Sequence, residues 1–205
     1  MPPKFIYFDL GNVLLHFDHH LAARQMADVA GVDTQRVWDV VFAGDLEERF
    51  ERGDLTVRQF YEEFCAATDA RPDYAALVHA GSAIFTANYS IVPVVAALAA
   101  AGFPLGVLSN TNACHWEYCL GRFAGLSRLL DVHVLSYEIG AVKPDEKIFQ
   151  AAIGRAGTPP GEIFFTDDVA GHVEAARAAG LDAVQFTSVA ELVRQLRSRG
   201  VRMNY

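Results

Sequence analysis

The chain is poor in positive charge and in cysteine. Its 205 residues include 17 Lys or Arg against 25 Asp or Glu, a formal net charge of −8 at pH 7 with histidine neutral. Nucleic acids are bound through clustered Lys and Arg, so the sequence predicts no nucleic-acid partner. The three cysteines, Cys65, Cys114 and Cys119, are odd in number and lack the spacing of a metal site. They are therefore predicted to be reduced thiols rather than disulfides.

The sequence also lacks the segments that direct export or membrane insertion. No basic leader followed by an apolar segment opens the chain, so we expect a cytoplasmic protein. Residues 74–116 contain no Asp, Glu, Lys or Arg, and residues 91–108 approach the length of a membrane span. Pro93 suits the first turn of a helix, however, and Gly102 suits a helix end. The run therefore predicts a buried helix followed by a buried strand, with no membrane contact.

The periodicity of apolar residues divides the chain into two parts. From residue 91 onward, helical and strand patterns alternate, as in VVAALAAAG followed by PLGVLSN. Such alternation predicts an α/β fold, with a doubly wound parallel sheet between helices on both faces. Residues 18–90 instead carry helical spacing, with Thr56 as a predicted N-cap. We therefore predict a core domain of residues 1–17 and 91–205 and an inserted α-helical cap of residues 18–90.

Four short motifs place polar side chains at or near the ends of predicted strands or at a helix start. They are FDLGNVL, LSN, AVKPD and FFTDD, which carry Asp9, Ser109, Asn110, Lys143, Asp167 and Asp168. In an open parallel sheet, ligands bind beyond the carboxyl ends of the strands. A carboxylate nucleophile, hydroxyl and amide groups, an ammonium and a second acidic pair can together hold a dianionic phosphoryl group beside Mg²⁺.

These motifs resemble those of the haloacid dehalogenase superfamily of phosphohydrolases, and the resemblance spans almost the whole chain. It implies a Rossmann-like core with a helical cap, Mg²⁺ as the cofactor and a small phosphorylated metabolite as the substrate. FDLGNVL, GDLT, LSNTN and the Asp-Asp pair are similar to the branch that includes bacterial α-D-glucose-1-phosphate phosphatase. A sugar phosphate is therefore the leading substrate class.

The resemblance implies a nucleophile and a set of metal ligands. Asp9 would attack phosphorus to form an aspartyl-phosphate. Asp9, the backbone carbonyl of Gly11 and the carboxylate of Asp168 would bind Mg²⁺. Asp167 is expected to support the direct ligand Asp168 without touching the metal, or to contact the metal through water. His172 stands where the family usually has Asp or Asn.

The resemblance also implies a set of phosphate-binding groups. Ser109 and Asn110 would donate hydrogen bonds to phosphate oxygens without adding charge. Lys143 lies just before a proline at a helix start, from which its ammonium would reach both the phosphate and Asp9. Lys143 therefore counts as both a catalytic and a substrate-binding residue.

Gly11 departs from the pattern of most phosphatases in this family. Those proteins carry a second Asp there, which protonates the leaving oxygen and then activates water. General acid–base catalysis contributes about 10²–10⁴-fold, so two explanations stay open. The substrate could have a good leaving group, as an anomeric or acyl phosphate does. Alternatively, a nearby group replaces the acid, with His16, Asp18, His19 and His20 as the candidates.

Two other functions fit parts of the pattern. A haloacid dehalogenase shares the Asp nucleophile and also lacks an acid at the position of Gly11, but it needs no metal. Asp167 and Asp168 would repel a halocarboxylate unless a cation neutralised them, which favours the phosphohydrolase. A weakly catalytic binding protein of the same fold would account for Gly11 and His172. The sequence leaves open whether the chain is a monomer or a homodimer.

Overall fold

Seven strands form two sheets within residues 2–205, the part of the chain that the computed structural model describes. The strands are β1 (Phe5–Phe8), β2 (Leu15–Phe17), β3 (Phe85–Ala87), β4 (Leu105–Ser109), β5 (Val132–Leu135), β6 (Ile163–Asp167) and β7 (Asp182–Gln185). Five of them form a parallel sheet in the order β5-β4-β1-β6-β7. The other two, β2 and β3, pair in antiparallel fashion.

Helices cover both faces of the parallel sheet, which confirms the predicted α/β fold. The helices that follow β3 are α6 (Val92–Ala100), α7 (Ala113–Arg122), α8 (Ala124–Ser127), α9 (Ser136–Ile139), α10 (Glu146–Ala156), α11 (Ala170–Ala178) and α12 (Val189–Ser198). Successive side chains of a strand point to opposite faces. Ile6 and Phe8 of β1 accordingly pack with α6, α7 and α12, whereas Phe5 and Tyr7 pack with α10 and α11.

Five helices precede β3 and enclose a separate apolar cluster. They are α1 (His19–Ala30), α2 (Thr34–Val41), α3 (Leu46–Arg52), α4 (Val57–Thr68) and α5 (Tyr74–Ser82). Met26, Val37, Phe64 and Leu77 are among the buried residues of this cluster. The N-cap predicted at Thr56 is confirmed, since Thr56 and Gln59 form a capping box at the start of α4.

The small sheet interrupts the helical segment that the sequence predicts. Phe85–Ala87 is a strand rather than part of a helix, because it pairs with Leu15–Phe17. Three residues are too few to show a period of two, so the sequence gives no signal for this strand. The division into a core of residues 1–17 and 91–205 and a cap of residues 18–90 stays a prediction. The structure adds that β2 and β3 hold residues 15–17 and 85–87 side by side.

The apolar run of residues 91–108 divides into α6 and β4, as predicted. Pro93 lies in the first turn of α6, and Gly102 has a φ of 82° just after this helix ends. Leu98 of α6 and Leu108 of β4 are fully buried. Within residues 2–205, no helix is long and apolar enough to cross a membrane.

Candidate active site

Asp9 directly follows β1 at the carboxyl edge of the parallel sheet. Its backbone N–H donates to the carbonyl of Thr166 at 2.9 Å, which continues the pairing of β1 with β6. Its side chain is buried, and Oδ1 accepts a hydrogen bond from the Leu10 N–H at 2.8 Å. The chain then turns sharply at Asn12, which has a φ of 54°. Asn is one of the few residues with a Cβ that tolerate this left-handed conformation.

Lys143 lies between two buried carboxylates. Its Nζ is 2.8 Å from Oδ1 of Asp9 and 2.6 Å from Oδ2 of Asp167, and it donates to the carbonyl of Leu108 at 3.1 Å. The residue is only 3% exposed. These three partners match the three N–H bonds of an ammonium, as the burial of a charged group requires.

Asn110 fixes the backbone of Lys143. Its Oδ1 accepts from the Lys143 N–H at 2.6 Å, and its Nδ2 donates to the Lys143 carbonyl at 3.0 Å. Since a side-chain amide has two N–H bonds, one N–H of Asn110 is left for another partner. Ser109 is also buried, and its hydroxyl donates to the carbonyl of Asn110 at 3.1 Å.

Burial and mutual attraction set the charges of this group. Burial raises the pKa of Asp9 to about 6, although the ammonium of Lys143 opposes the shift. Burial also acts to raise the pKa of Asp167, but Lys143, His172 and a backbone N–H outweigh it and hold the pKa at about 2. The two carboxylates likewise outweigh the effect of burial on Lys143 and raise its pKa. At pH 7, Asp9 is therefore mainly ionised beside a charged Lys143.

The two acidic residues after β6 have different surroundings. Both oxygens of Asp167 accept hydrogen bonds, from Lys143, from the Val169 N–H at 2.8 Å and from Nδ1 of His172 at 3.1–3.2 Å. Asp168 is half-buried, and its Oδ2 accepts from Nδ2 of Asn12 at 3.0 Å. Among the described residues, none donates to Oδ1 of Asp168. This oxygen is therefore available to another ligand.

Three carboxylates meet closely enough to bind a metal ion. Asp9, Asp167 and Asp168 each offer one oxygen, and these oxygens lie within 4.8 Å of one another. Hard divalent cations such as Mg²⁺ prefer oxygen ligands of this kind. The residues present therefore fit the cation that the sequence motifs imply.

These side chains open onto a cleft of about 180 Å³. Its lining includes the sequence-predicted residues Asp9, Gly11, Ser109, Asn110, Lys143 and Asp168, together with Asn12, Thr111 and His172. It also includes Phe17, His19, Glu51, Phe85 and His115. Asp167 lies beneath the cleft and is fully buried. The structure thus brings all six predicted site residues to one place.

A model of the haloacid dehalogenase-like hydrolase family matches residues 3–180. This match includes every residue that lines the cleft. The chain belongs to the haloacid dehalogenase-like hydrolase family.

Solved structures of haloacid dehalogenase-like proteins share this fold. A family enzyme from Bacteroides thetaiotaomicron superposes with a TM-score of 0.82 at 20% identity, covering 95% of this chain and 100% of that chain. The same enzyme was solved in complex with magnesium and inorganic phosphate, with a TM-score of 0.81, 20% identity and coverage of 93% and 98%. A dehalogenase superposes less well, with a TM-score of 0.66 at 22% identity over 94% and 96% of the two chains.

Curated relatives of this hydrolase include a phosphatase and a dehalogenase. A phosphatase from Mycobacterium tuberculosis (strain CDC 1551 / Oshkosh) is 39% identical over 82 residues, which cover 40% of this chain and 38% of that protein. An (S)-2-haloacid dehalogenase from Pseudomonas sp. (strain CBS-3) is 33% identical over 98 residues, which cover 48% and 43%. The chain spans less than half the length of these relatives. The resemblance to the glucose-1-phosphate phosphatase branch stays a prediction.

In this haloacid dehalogenase-like hydrolase, the space above Gly11 is filled. A Cβ added to Gly11 would lie 2.7 Å from Cε1 of Phe17, closer than real Cβ atoms come. The ring of Phe17 is itself packed against His19 and Phe85, at centroid distances of 4.8 and 6.1 Å. A second Asp at position 11 therefore requires this aromatic group to move.

Three of the four substitute acids predicted from the sequence do not line the cleft. Asp18 is exposed and caps α1 by accepting from the Leu21 N–H. The ring of His20 stacks on Trp38 at 4.2 Å, and His16 is exposed on β2. Only His19 of this set lines the cleft, where its Nε2 lies 3.3 Å from Oε1 of Glu47. These placements depend on how α1 packs, which a short sequence motif does not specify.

Sequence reasoning missed Glu51 and His115. Glu51 lies in α3, whose sequence LEERFER is typical of a solvated charged helix. His115 is held by Asn112 and by the carbonyl of Gly81, and burial lowers its pKa to about 4. Both reach the cleft through contacts between distant parts of the chain, for which the sequence carries no local signal.

Proposed function

We propose that this hydrolase is a Mg²⁺-dependent phosphohydrolase that acts on a small phosphorylated metabolite through an aspartyl-phosphate on Asp9. The observation that carries the proposal is the buried Lys143 ammonium, 2.8 Å from Asp9 and 2.6 Å from Asp167. Because it is fixed by both carboxylates, it offers a preorganised positive charge beside the nucleophile. A phosphoryl dianion requires such positive charge as it approaches a carboxylate.

One oxygen of Asp9 is held and the other is free. Oδ1 accepts from Lys143 and from the Leu10 N–H, whereas none of the described residues donates to Oδ2. Attack by Asp9 on phosphorus forms a bond between a carboxylate oxygen and phosphorus and breaks the bond between phosphorus and the leaving oxygen. Since the reacting carboxylate is fixed before the substrate binds, little reorganisation is needed during the reaction.

Asp9, the Gly11 carbonyl and Asp168 are the proposed Mg²⁺ ligands. When bound, the cation supplies positive charge that neutralises phosphate oxygens. Asp168 is favoured over Asp167 as a direct ligand, because both oxygens of Asp167 are already occupied by donors. Asp167 instead positions Lys143. The magnesium and phosphate complex of the Bacteroides thetaiotaomicron enzyme supports this proposal.

The phosphate would be bound by Ser109, Asn110 and Lys143. Ser109 lines the cleft, and rotation of its hydroxyl would exchange the backbone acceptor for a phosphate oxygen. Asn110 keeps one N–H for the phosphate while its other groups hold the Lys143 backbone. Its role is therefore partly to place the ammonium.

The size and lining of the cleft favour a small sugar phosphate. At about 180 Å³ the cleft is smaller than most drug-sized ligand pockets. Phe17 and Phe85 present aromatic surface, and His19 and Glu51 present polar groups. A sugar has a matching character, since its ring carbons pack against aromatic rings while its hydroxyls form hydrogen bonds.

A haloacid dehalogenase is the second candidate, favoured by the match to the Pseudomonas enzyme at 33% identity. Its carboxylate substrate would have to approach a cleft that already holds Asp9 and Asp168. Like charges in one site oppose such binding unless a cation neutralises them, and a dehalogenase uses no metal whereas the proposed phosphohydrolase binds Mg²⁺. The phosphohydrolase is therefore the better supported function.

Phosphate release from a panel of esters tests the proposal. The panel contains glucose 1-phosphate, glucose 6-phosphate and p-nitrophenyl phosphate, each with Mg²⁺ and with EDTA, and a 2-haloacid assayed for halide release. We expect Mg²⁺-dependent phosphate release that Asp9→Asn abolishes and that Asp28→Asn, at an exposed position of α1, leaves unchanged. Halide release without phosphate release would establish the dehalogenase instead.

A further inference from the structure

Glu51 places a carboxyl group in the cleft. It is half-buried and lines the same cleft as Asp9, Ser109 and Lys143. Its backbone carbonyl accepts from the Ser136 hydroxyl at 2.6 Å, but its carboxylate forms no hydrogen bond or ion pair with the described residues. A half-buried carboxyl group without a partner is costly unless it is protonated or awaits a ligand.

The contacts of α3 with the rest of the protein fix the place of Glu51. Arg52 forms an ion pair with Asp145 at 2.7 Å. Gly53 ends α3 with a φ of 84°, and a Cβ added there would collide with the backbone of Tyr137. Since the Glu51 carbonyl and the two residues that follow it are held, the position of Glu51 at the cleft is fixed by the fold.

The charges around Glu51 favour its protonated form. Burial raises the pKa of Glu51 to about 7; Lys143 opposes this shift, while Asp9 and Glu48 add to it. A carboxylic acid that keeps its proton near neutral pH suits the donation of that proton to a leaving group.

The other titratable groups nearby are less suited to this task. His115 is held by Asn112 and by the Gly81 carbonyl, and burial lowers its pKa to about 4. His19 is oriented toward Glu47, and burial lowers its pKa as well. Glu47 itself lines a neighbouring apolar cavity rather than this cleft.

We propose that Glu51 is the general acid and base of this site and replaces the acid that is absent at Gly11. This inference rests on the proposed phosphohydrolase function. If α3 supplies the acid, the turn that follows Asp9 needs none. The ring of Phe17 can then pack over Gly11, where other members of the family carry the acid.

The proton balance of the two steps follows from this role. In the first step Asp9 forms its bond to phosphorus, the ester bond breaks, and Glu51 gives its proton to the leaving alkoxide. In the second step Glu51 takes a proton from the attacking water, phosphate leaves, and the Asp9 carboxylate is restored. The sum is one ester and one water converted to one alcohol and one phosphate.

The two esters should respond differently to Glu51→Gln, which removes the acidic proton of the side chain but keeps the shape of the side chain. An alkyl ester such as glucose 6-phosphate needs a proton on its leaving oxygen, so we expect its first step to slow by about 10²–10⁴-fold. The nitrophenolate of p-nitrophenyl phosphate leaves without a proton. We therefore expect a rapid burst of one nitrophenol per protein at near the wild-type rate, followed by slow turnover and an acid-stable covalent phosphate on the protein.

Glu62→Gln is the matched control, because Glu62 is an exposed carboxyl group on α4. We expect it to behave as wild type with both esters. Glu51→Asp keeps an acid in place and should retain more of the alkyl-ester rate than Glu51→Gln. If Glu51→Gln melts at a lower temperature than wild type, the comparison of Glu51→Asp with wild type tests the proposal instead.

Each remaining outcome contradicts the role of Glu51. In Glu51→Gln, a nitrophenol burst slowed as much as the first step with glucose 6-phosphate would mean that Glu51 only supports the shape of the site. Unchanged rates on both esters would mean that it takes no part. In either case, Mg²⁺-dependent release that Asp9→Asn abolishes would leave the proposed function standing. A wild-type protein that hydrolyses no ester would overturn the proposed function and this inference together.

Discussion

Single buried residues set the electrostatic properties of the cleft. Lys143 keeps its charge because two carboxylates surround it. His115 is half-buried and has no carboxylate partner among the described residues, and burial lowers its pKa to about 4. The two residues show opposite results of burial. A buried base stays charged only where opposite charge is supplied.

His115 should make the protein sensitive to acid. A histidine with a pKa of 6.5 in the unfolded chain and about 4 in the folded chain binds fewer protons when folded. The unfolding free energy that depends on neutral His115 is fully present above pH 6.5. It falls by about 3 kcal/mol in total as the pH drops from 6.5 toward 4. We expect the difference in unfolding free energy between wild type and His115→Gln to change by this order from pH 7 to pH 4. Urea denaturation at a series of pH values measures it, and a constant difference would contradict the explanation.

At the scale of secondary-structure elements, α3 links the five helices of residues 19–82 to the parallel sheet. Its last residues contact α9 and the start of α10 through Ser136, Tyr137 and Asp145. The backbones approach so closely at Gly53 that no larger residue fits. The placement of Glu51 therefore depends on a glycine two positions away.

Gly53→Ala should displace α3, and Gly31→Ala provides the matched control. Both glycines end a helix in the left-handed region, but an added Cβ meets nothing within 4 Å at Gly31. Gly31→Ala should cost about 1–2 kcal/mol of stability for its backbone conformation alone and leave activity unchanged. Gly53→Ala should cost about 1–3 kcal/mol more and lower kcat by about 10- to 100-fold. Denaturation and phosphate release distinguish the two, and equal effects would argue against the close approach.

The elements also show what the sequence could and could not predict. Most of the five parallel strands are apolar runs bounded by turns. Asp9, Ser109 and Lys143 could be found because their motifs occur at fixed places around such strands. The strand Phe85–Ala87 could not, because it exists only through its pairing with β2. Glu51 was missed for a similar reason, since contacts of α3 with distant residues decide that Glu51 lies at the cleft.

At the scale of the whole molecule, the acidic site should couple metal binding to stability. A ligand that binds only the folded state raises the unfolding free energy, by about 2.7 kcal/mol at a concentration 100 times its Kd. For a chain of this length, that corresponds to roughly 5–10 °C in Tm. We therefore expect Mg²⁺ to raise the Tm of the EDTA-treated protein by this order.

Two variants make this measurement specific. Asp168→Asn should remove most of the shift, because Asp168 has an oxygen free for the cation. Asp28→Asn, on the exposed face of α1, should retain the whole shift. A shift that is the same in both variants would place the ion elsewhere on the protein.

The pairing of β2 with β3 brings the two ends of the five-helix segment to one place. A segment whose ends already lie side by side can be exchanged for another without a large loop-closure penalty. The five helices therefore form an exchangeable segment between Phe17 and Phe85 that determines what surrounds the leaving group. Replacing this segment at the two strands would change the substrate selectivity, while Asp9, Lys143 and Asp168 would stay where the parallel sheet holds them.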